Sequence, residues 1–519
     1  MSTTAQRGSS DVLRSERVAG GMLPRVLGIW DMVAIFVAIV LLVTGSATIQ
    51  AAGPAAFGWW VLGVVAFLIP GAVVTGQLGV MFPGEGSIYL WTHKAFGDFW
   101  GFFAGFCAWW PGVLAMLSFA DNAVAYLGYA FPGSVGHWSV PLQGLVIVGA
   151  LVGSALVAQL RLRIVQNAVN AVCLLYGMVI LLVVVAGVVY LVTGHAAATN
   201  PAALSTWSPS HQHGINFANW AFFGVVVLAL LGVEVPLNMG VEIRDRKAIT
   251  RYLLWGSAVV VIAYLATTWA VMVTVPAAGN QSVQITAVAD VVGRALGPAW
   301  GQLAAAVLAG VTAFALVVYN YSFARLVFVS GLDCRLPSLL TRLNTHRVPY
   351  AALWAQTVVA AVVTVVTFIA LPALSSGTAL DTQTRVYTVL SAATTVIWCF
   401  SMIVLFIDVL VILRRYRPQF AARPLARPAV FWACAALGAV SSLVAIVATL
   451  SGSQTPLISN NAGSITVLGA TISYGLWFYL VAGITAVSLT VGVVLYLIGR
   501  RTEARTVELD HGRAAVPRS

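Results

Sequence analysis

Lys94-Ala95-Phe96-Gly97-Asp98-Phe99-Trp100-Gly101 returns two hundred residues later as Arg294-Ala295-Leu296-Gly297-Pro298-Ala299-Trp300-Gly301. Ala, Gly, Trp and Gly recur in place, and a basic and an apolar position are swapped conservatively. Each octet leads into a long apolar block. There are twelve such blocks, at 28–50, 57–81, 100–130, 139–158, 164–193, 214–240, 252–275, 301–330, 350–372, 386–413, 429–451 and 473–499, so the octets precede the third and the eighth. A block of about 20 apolar residues crosses a ~30 Å hydrocarbon layer as a helix. In lipid the backbone must be satisfied within the segment, so the blocks read as helical spans. The expected class is an all-α membrane protein with about twelve transmembrane helices.

The composition agrees. The chain has 519 residues, 60% hydrophobic and 8% charged, with a mean hydropathy of +0.93. Soluble domains carry roughly a quarter charged residues. The net charge of +11 would suit a nucleic-acid partner, but the basic residues lie in alternate gaps between blocks. Apart from Arg294, Arg385 and Arg325, which lies inside span 8, every Lys and Arg falls on one side. That asymmetry marks the basic side as cytoplasmic, with both termini there and no nucleic acid implied. The expected location is the plasma membrane, in contact with the lipid bilayer. The polar, basic first 25 residues do not read as a cleavable signal peptide. Cys107, Cys173, Cys334, Cys399 and Cys434 show no metal-site spacing, and no disulfide is expected.

Spans 3 and 8 are each third in a run of five, and the charge pattern puts their octets on opposite sides. An inverted repeat of five plus five spans leaves that trace. The expected organisation is a cytoplasmic tail at 1–25, a first repeat at 26–193, a second at 214–413, two appended spans at 429–499, and a cytoplasmic tail at 502–519. Both tails read as disordered. The plain alternative to the repeat is coincidence among common membrane residues.

Three spans carry breakers near mid-depth: Gly45 in span 1, Pro111 in span 3, and Gly232 with Pro236 in span 6. Span 1 reads Val43-Thr44-Gly45-Ser46-Ala47, where Gly adds backbone entropy and the hydroxyls compete for backbone bonds. Span 6 reads Leu228-Ala229-Leu230-Leu231-Gly232-Val233-Glu234-Val235-Pro236, and Pro236 removes a backbone donor. Unwound backbone at that depth is tolerated only where it lines a cavity. Half-helix ends at such breaks attract carboxylate and ammonium groups, which suits a zwitterion. Small-residue packing seams are the bland alternative.

Leu78-Gly79-Val80-Met81-Phe82-Pro83-Gly84-Glu85-Gly86-Ser87, Gly232-Val233-Glu234 with Glu242-Ile243, and Arg325-Leu326-Val327-Phe328 with Asp333, Leu336-Pro337 and Val348-Pro349 resemble amino acid permeases. The family is the amino acid–polyamine–organocation superfamily, and its glutamate/γ-aminobutyrate antiporter subgroup is the most similar. The resemblance covers roughly residues 25–420. It implies a LeuT-like fold with substrate at the broken spans 1 and 6, carried over to Val43–Ala47 and Leu228–Gly232. It also implies a substrate-facing aromatic near Tyr319, beside Asn320. The sequence departs from the family at Val43-Thr44-Gly45-Ser46, at the missing aromatic of the span 6 break, and at span 5, where 170–176 lacks the Lys of proton-coupled relatives.

Among the polar residues, Glu234 reads as a proton carrier or substrate-ammonium partner, or as a neutral hydrogen-bonded residue. A charge at that depth costs about 2.5–3.5 kcal/mol. Arg325 reads as an inner gate paired with Asp31 or Glu85, or as a side chain snorkelling to the interface. Asp121 and Asp408 are weaker candidates. Trp109 and Trp110 are candidate pocket walls. His211 and His213 form a lone outer-loop pair. No hydrolase, zinc-protease or phosphate-loop motif is present, which leaves enzyme and ATP-driven pump without support. The favoured function is a secondary transporter for amino acids, neutral ones first, or related amines. A coupling proton or counter-substrate is expected, and no cofactor or metal.

Overall fold

The computed structural model describes residues 12–200, 215, 220–276, 285–370, 379–451, 464–467 and 470–514. Ten of its helices are long and apolar enough to cross a membrane: Ala55–Met81, Asp98–Ala130, Val140–Ala158, Leu162–Val192, Lys247–Thr274, Pro298–Leu332, Tyr350–Ile369, Thr388–Arg415, Pro428–Ser451 and Gly475–Arg501. Two further apolar helices, Ile29–Val40 and Ala221–Leu230, have 12 and 10 residues. At 1.5 Å per residue they reach about 18 and 15 Å, short of a ~30 Å layer. These two are spans 1 and 6, the pair that the sequence marks as broken. The long helices are spans 2–5 and 7–12. The fold is therefore nearly all helical. Its exception among the described residues is a two-stranded antiparallel hairpin, Ser464–Val467 with Ala470–Ser473, ahead of span 12.

The octets have one local structure. Helix Ser87–Phe96 ends at Gly97, with a φ of 86°, and span 3 begins at Asp98. Helix Ala287–Leu296 ends at Gly297, with a φ of 104°, and span 8 begins at Pro298. Only glycine adopts such a corner without strain. The second glycine of each octet is set by close approach. A Cβ on Gly101 would come within 2.8 Å of His93 Cβ, and one on Gly301 within 2.7 Å of Gly293 Cα.

Span 3 is the most enclosed of the long spans, with 83% of its apolar stretch buried. It packs on span 8 so closely that a Cβ on Gly112 would meet the Phe323 ring at 2.5 Å. Pro111 does not interrupt it, since the helix runs unbroken over Asp98–Ala130. A proline removes one donor, and burial against neighbouring spans holds the helix across the gap.

The tails differ from expectation. Residues 14–22 form a helix, Arg14–Met22, with Ser15 and Ala19 buried. Ser15 donates from its N–H and its hydroxyl to the Asp333 carboxylate, each at 2.8 Å, and Glu16 pairs with Lys94 at 2.9 Å. The last helix continues through Ala514. Residues 1–11, 515–519 and the His211–His213 pair lie outside the described residues.

Candidate functional site: the paired helix breaks

Span 1 loses its helix at Leu41–Val43, just before the expected Gly45, which lies inside the next helix, Thr44–Ile49. Gly45 lies against spans 6 and 7, where an added Cβ would meet Ala229 Cβ and the Tyr264 ring at 3.4 Å, an ordinary van der Waals contact. Span 6 stops at Leu230, turns extended at Leu231 and passes Gly232 with a φ of 105°. Beyond it only the short 3₁₀ turns Val235–Asn238 and Gly240–Glu242 follow. A Cβ on Gly232 would meet Ile39 Cγ2 at 2.7 Å. The two breaks therefore touch.

Backbone groups released at a buried break need partners. Three tyrosine hydroxyls supply them at span 1. Tyr319 of span 8 donates to the Ile39 carbonyl at 2.8 Å. Tyr264 of span 7 donates to the Val40 carbonyl at 2.8 Å and accepts from the Leu42 N–H at 3.0 Å. Tyr176 of span 5 donates to the Leu41 carbonyl and accepts from the Val43 N–H, both at 3.1 Å. Thr44 accepts from Asn122 of span 3 at 2.7 Å, and Ser46 lies 2.6 Å from Thr267 of span 7. Val43 and Ala47 are fully buried.

A cavity of about 110 Å³ opens beside the breaks. Leu42, Gly45 and Thr48 of span 1 line it, with Leu228 and Ala229 of span 6 and Tyr264. Thr388, Ser391 and Thr395 of span 10, Thr449 of span 11 and Trp477 of span 12 complete it. Its polar groups are hydroxyls and an indole, and no described lining residue is charged. A smaller cavity of about 20 Å³ flanks the other side of Leu42, between spans 1, 3, 5 and 8, and is largely apolar. The larger one reaches the span 1 break at Leu42 and the last turn of the span 6 helix at Leu228 and Ala229, and so is the better candidate.

Glu234 lies in the span 6 break, fully buried, and accepts from Trp398 Nε1 at 2.8 Å. Trp398 continues an aromatic wall. Its ring centroid is 5.7 Å from that of Phe323, Phe323 is 5.3 Å from Tyr319, and Tyr319 is 4.9 Å from Phe119. Leu230 and Leu231 are buried beside it.

Arg325 is buried and flanked by two carboxylates, Glu85 at 3.1 Å and Glu242 at 2.9 Å. It does not snorkel, and Asp31 is not its partner. Asp31 instead caps span 1 through the Gly28 N–H and holds Arg163 and Asn170 of span 5 at 2.9 and 2.7 Å. Glu242 was visible in the sequence only as part of a family motif. Two further candidates sit away from the breaks. Trp110 donates to Ser488 of span 12 at 2.7 Å. Asn320 bonds Ser154 of span 4 and Gln356 and Thr357 of span 9, because its position on span 8 faces those helices. Tyr176, Tyr264 and Trp398 are residues the sequence reading missed. Each contacts a break through chain far away in sequence, and no local pattern marks it.

Comparison with known proteins agrees with this architecture. Residues 27–472 match the family described as Amino acid permease. A probable agmatine/putrescine antiporter of Lactococcus lactis is 25% identical over 241 residues, 46% of this chain and 50% of that protein. This match therefore spans half of the relative's length. A glutamate/serine transporter of Bacillus subtilis is 37% identical over 110 residues, 21% of this chain and 19% of that protein. In three dimensions the chain is similar to a crystal structure of an Eremococcus coleocola manganese transporter mutant, with a TM-score of 0.56 at 12% identity, covering 92% of this chain and 94% of that one. At that identity the likeness speaks for the fold alone. The permease match runs through the spans that hold both breaks, the Arg325 cluster and the Gly97 and Gly297 corners, and on it the chain belongs to the amino acid permease family.

Proposed function

We propose that this protein is a secondary transporter that moves neutral amino acids or related amines across the plasma membrane by alternating access. One observation carries the reading: two spans are broken against each other, beside a cavity lined by hydroxyls and apolar groups. Helices Ile29–Val40 and Ala221–Leu230 both aim their carbonyl ends at this place. Such ends favour an ammonium group, and unwound amides favour a carboxylate. The proposed substrate contacts are the backbone of Val43 to Ala47 and of Leu228 to Gly232, with Tyr319 behind them. The proposed inner gate is Arg325 with Glu85 and Glu242. The halves 26–193 and 214–413 are taken as inverted repeats, 429–499 as an appendage, and both termini as cytoplasmic.

The helix ends suit one ammonium and one carboxylate, and the described lining offers no charged partner for a second cation, which favours a zwitterion with an uncharged side chain over a dication. A second reading, an amine or polyamine exchanger, is favoured by Glu234, a buried carboxylate at the break whose hydrogen-bond partner is the uncharged Trp398. The antiporter relative supports an exchange mode. The test is counterflow in proteoliposomes loaded with serine, alanine, agmatine or putrescine. Saturable uptake accelerated by the same compound on the far side is expected. A protein that binds none of them and moves none of them overturns the reading. Serine uptake faster than putrescine uptake selects the first reading, and the reverse order selects the second.

A further inference from the structure

Tyr264 touches both breaks with one hydroxyl. That oxygen accepts from the Leu42 N–H at 3.0 Å. Its single proton has two carbonyls in reach, Val40 of span 1 at 2.8 Å and Ala229 of span 6 at 3.1 Å. A hydroxyl proton serves one acceptor well at a time. The ring is held from behind, since Trp60 of span 2 stacks on it at 4.3 Å and 19° and donates to Thr268 on the same helix at 2.9 Å. One turn further along, Thr267 meets Ser46 at 2.6 Å, so span 7 grips both the break of span 1 and the helix after it. Tyr264 and Ala229 also line the larger cavity, so a ligand there competes for the Ala229 carbonyl. Tyr176 differs, since its hydroxyl bonds Leu41 and Val43, both of span 1.

We propose that Tyr264 is a positioning residue that couples the two broken spans. A ligand ammonium or hydroxyl that takes the Ala229 carbonyl leaves the Tyr264 proton with Val40, which tightens span 1 as span 6 is engaged. Without the ligand the proton is shared, and the spans are tied together through Tyr264. The substrate contact thus reaches span 1 through a residue of span 7. This rests on the transport reading above.

The test compares wild type, Tyr264→Phe and Tyr176→Phe in proteoliposomes, with radiolabelled serine and putrescine as probes. Phenylalanine keeps the ring on Trp60 and removes only the hydroxyl. In Tyr264→Phe the maximal counterflow rate should fall by about tenfold or more while half-saturation stays within about threefold, the split expected of a residue that acts on the conformational step. Tyr176→Phe frees the Val43 N–H at the proposed contact of span 1 alone, so it should raise half-saturation by more than it lowers the maximal rate. Tyr264→Phe exchanging at the wild-type rate, or the two variants falling equally, overturns the coupling role while leaving the transport reading intact. Wild-type protein that moves neither probe removes both. A second measurement does not depend on the variant's folding: fluorotyrosine placed at 264 should change its fluorine resonance on saturation with the transported probe, and an unchanged resonance also overturns the proposal.

Discussion

At the residue scale the two buried acidic sites behave differently because their partners do. Arg325 has two carboxylates and Glu234 has an indole. Removing the guanidinium leaves Glu85 and Glu242 buried without a counter-charge. Breaking a buried pair costs about 3–5 kcal/mol, so Arg325→Ala should lower the melting temperature in detergent sharply. An unchanged melting temperature would argue against a buried ion cluster. Glu234→Gln keeps an acceptor for Trp398 and removes the charge. If that carboxylate partners an ammonium, putrescine counterflow should fall by about tenfold or more, in line with the ~2 kcal/mol or more that a buried charged bond contributes. Serine counterflow should change less and lose its dependence on pH. Normal flux of both probes with the wild-type pH profile would leave Glu234 as a packing residue.

At the element scale the corners and the docked N-terminal helix are testable. Gly97 and Gly297 adopt positive φ at matching places. With ψ near 180° both lie in a region essentially restricted to glycine, which costs another residue about 1–3 kcal/mol. Gly97→Ala and Gly297→Ala should therefore destabilise by similar amounts, read by thermal shift, and very unequal losses would count against equivalent corners. Helix Arg14–Met22 is held by Ser15 on Asp333. Burial pushes the Asp333 carboxyl above its usual range, partly offset by the bonds from Ser15. A carboxyl with a raised folded value favours the folded state while protonated, and that contribution is lost as pH rises through the raised value. The contribution of Asp333 to the melting temperature should therefore fade as pH is raised from the acid side. Asp333→Asn should flatten this dependence.

At the scale of the whole molecule the sidedness read from the arginines is testable by labelling. Arg335 pairs with Asp98 at 2.8 Å, so Cys334 lies at the Asp98 end of span 3, and Ser134 lies beyond the other end. An impermeant maleimide should label Cys334 in inside-out vesicles and the thiol introduced by Ser134→Cys in right-side-out vesicles, and neither in the reverse orientation. Labelling of both from one side would contradict the topology read from the arginines. The broken spans were legible because short-range chemistry marks them: Gly232 before Pro236, and Thr44-Gly45-Ser46. The register within span 1 was not. Gly45 weakens a helix locally, but the unwinding occurs at Leu41–Val43, where three tyrosines receive the released groups.

The sequence by itself determined the spans, the repeated corner and the two spans that are broken. Each follows from composition over a window or from the backbone limits of Gly and Pro, which act within a few residues. Tertiary structure alone decided the partners. Tyr176, Tyr264 and Tyr319 lie 135, 224 and 280 positions from the carbonyls they cap. Glu242, 83 positions from Arg325, joined Glu85 there, and Asp31 went to Arg163 and Asn170. A hydrogen bond or ion pair forms where packing brings two groups within about 3 Å. Which side chain of a distant helix arrives there is set by how twelve spans rotate and pack against each other, and no local pattern carries that information.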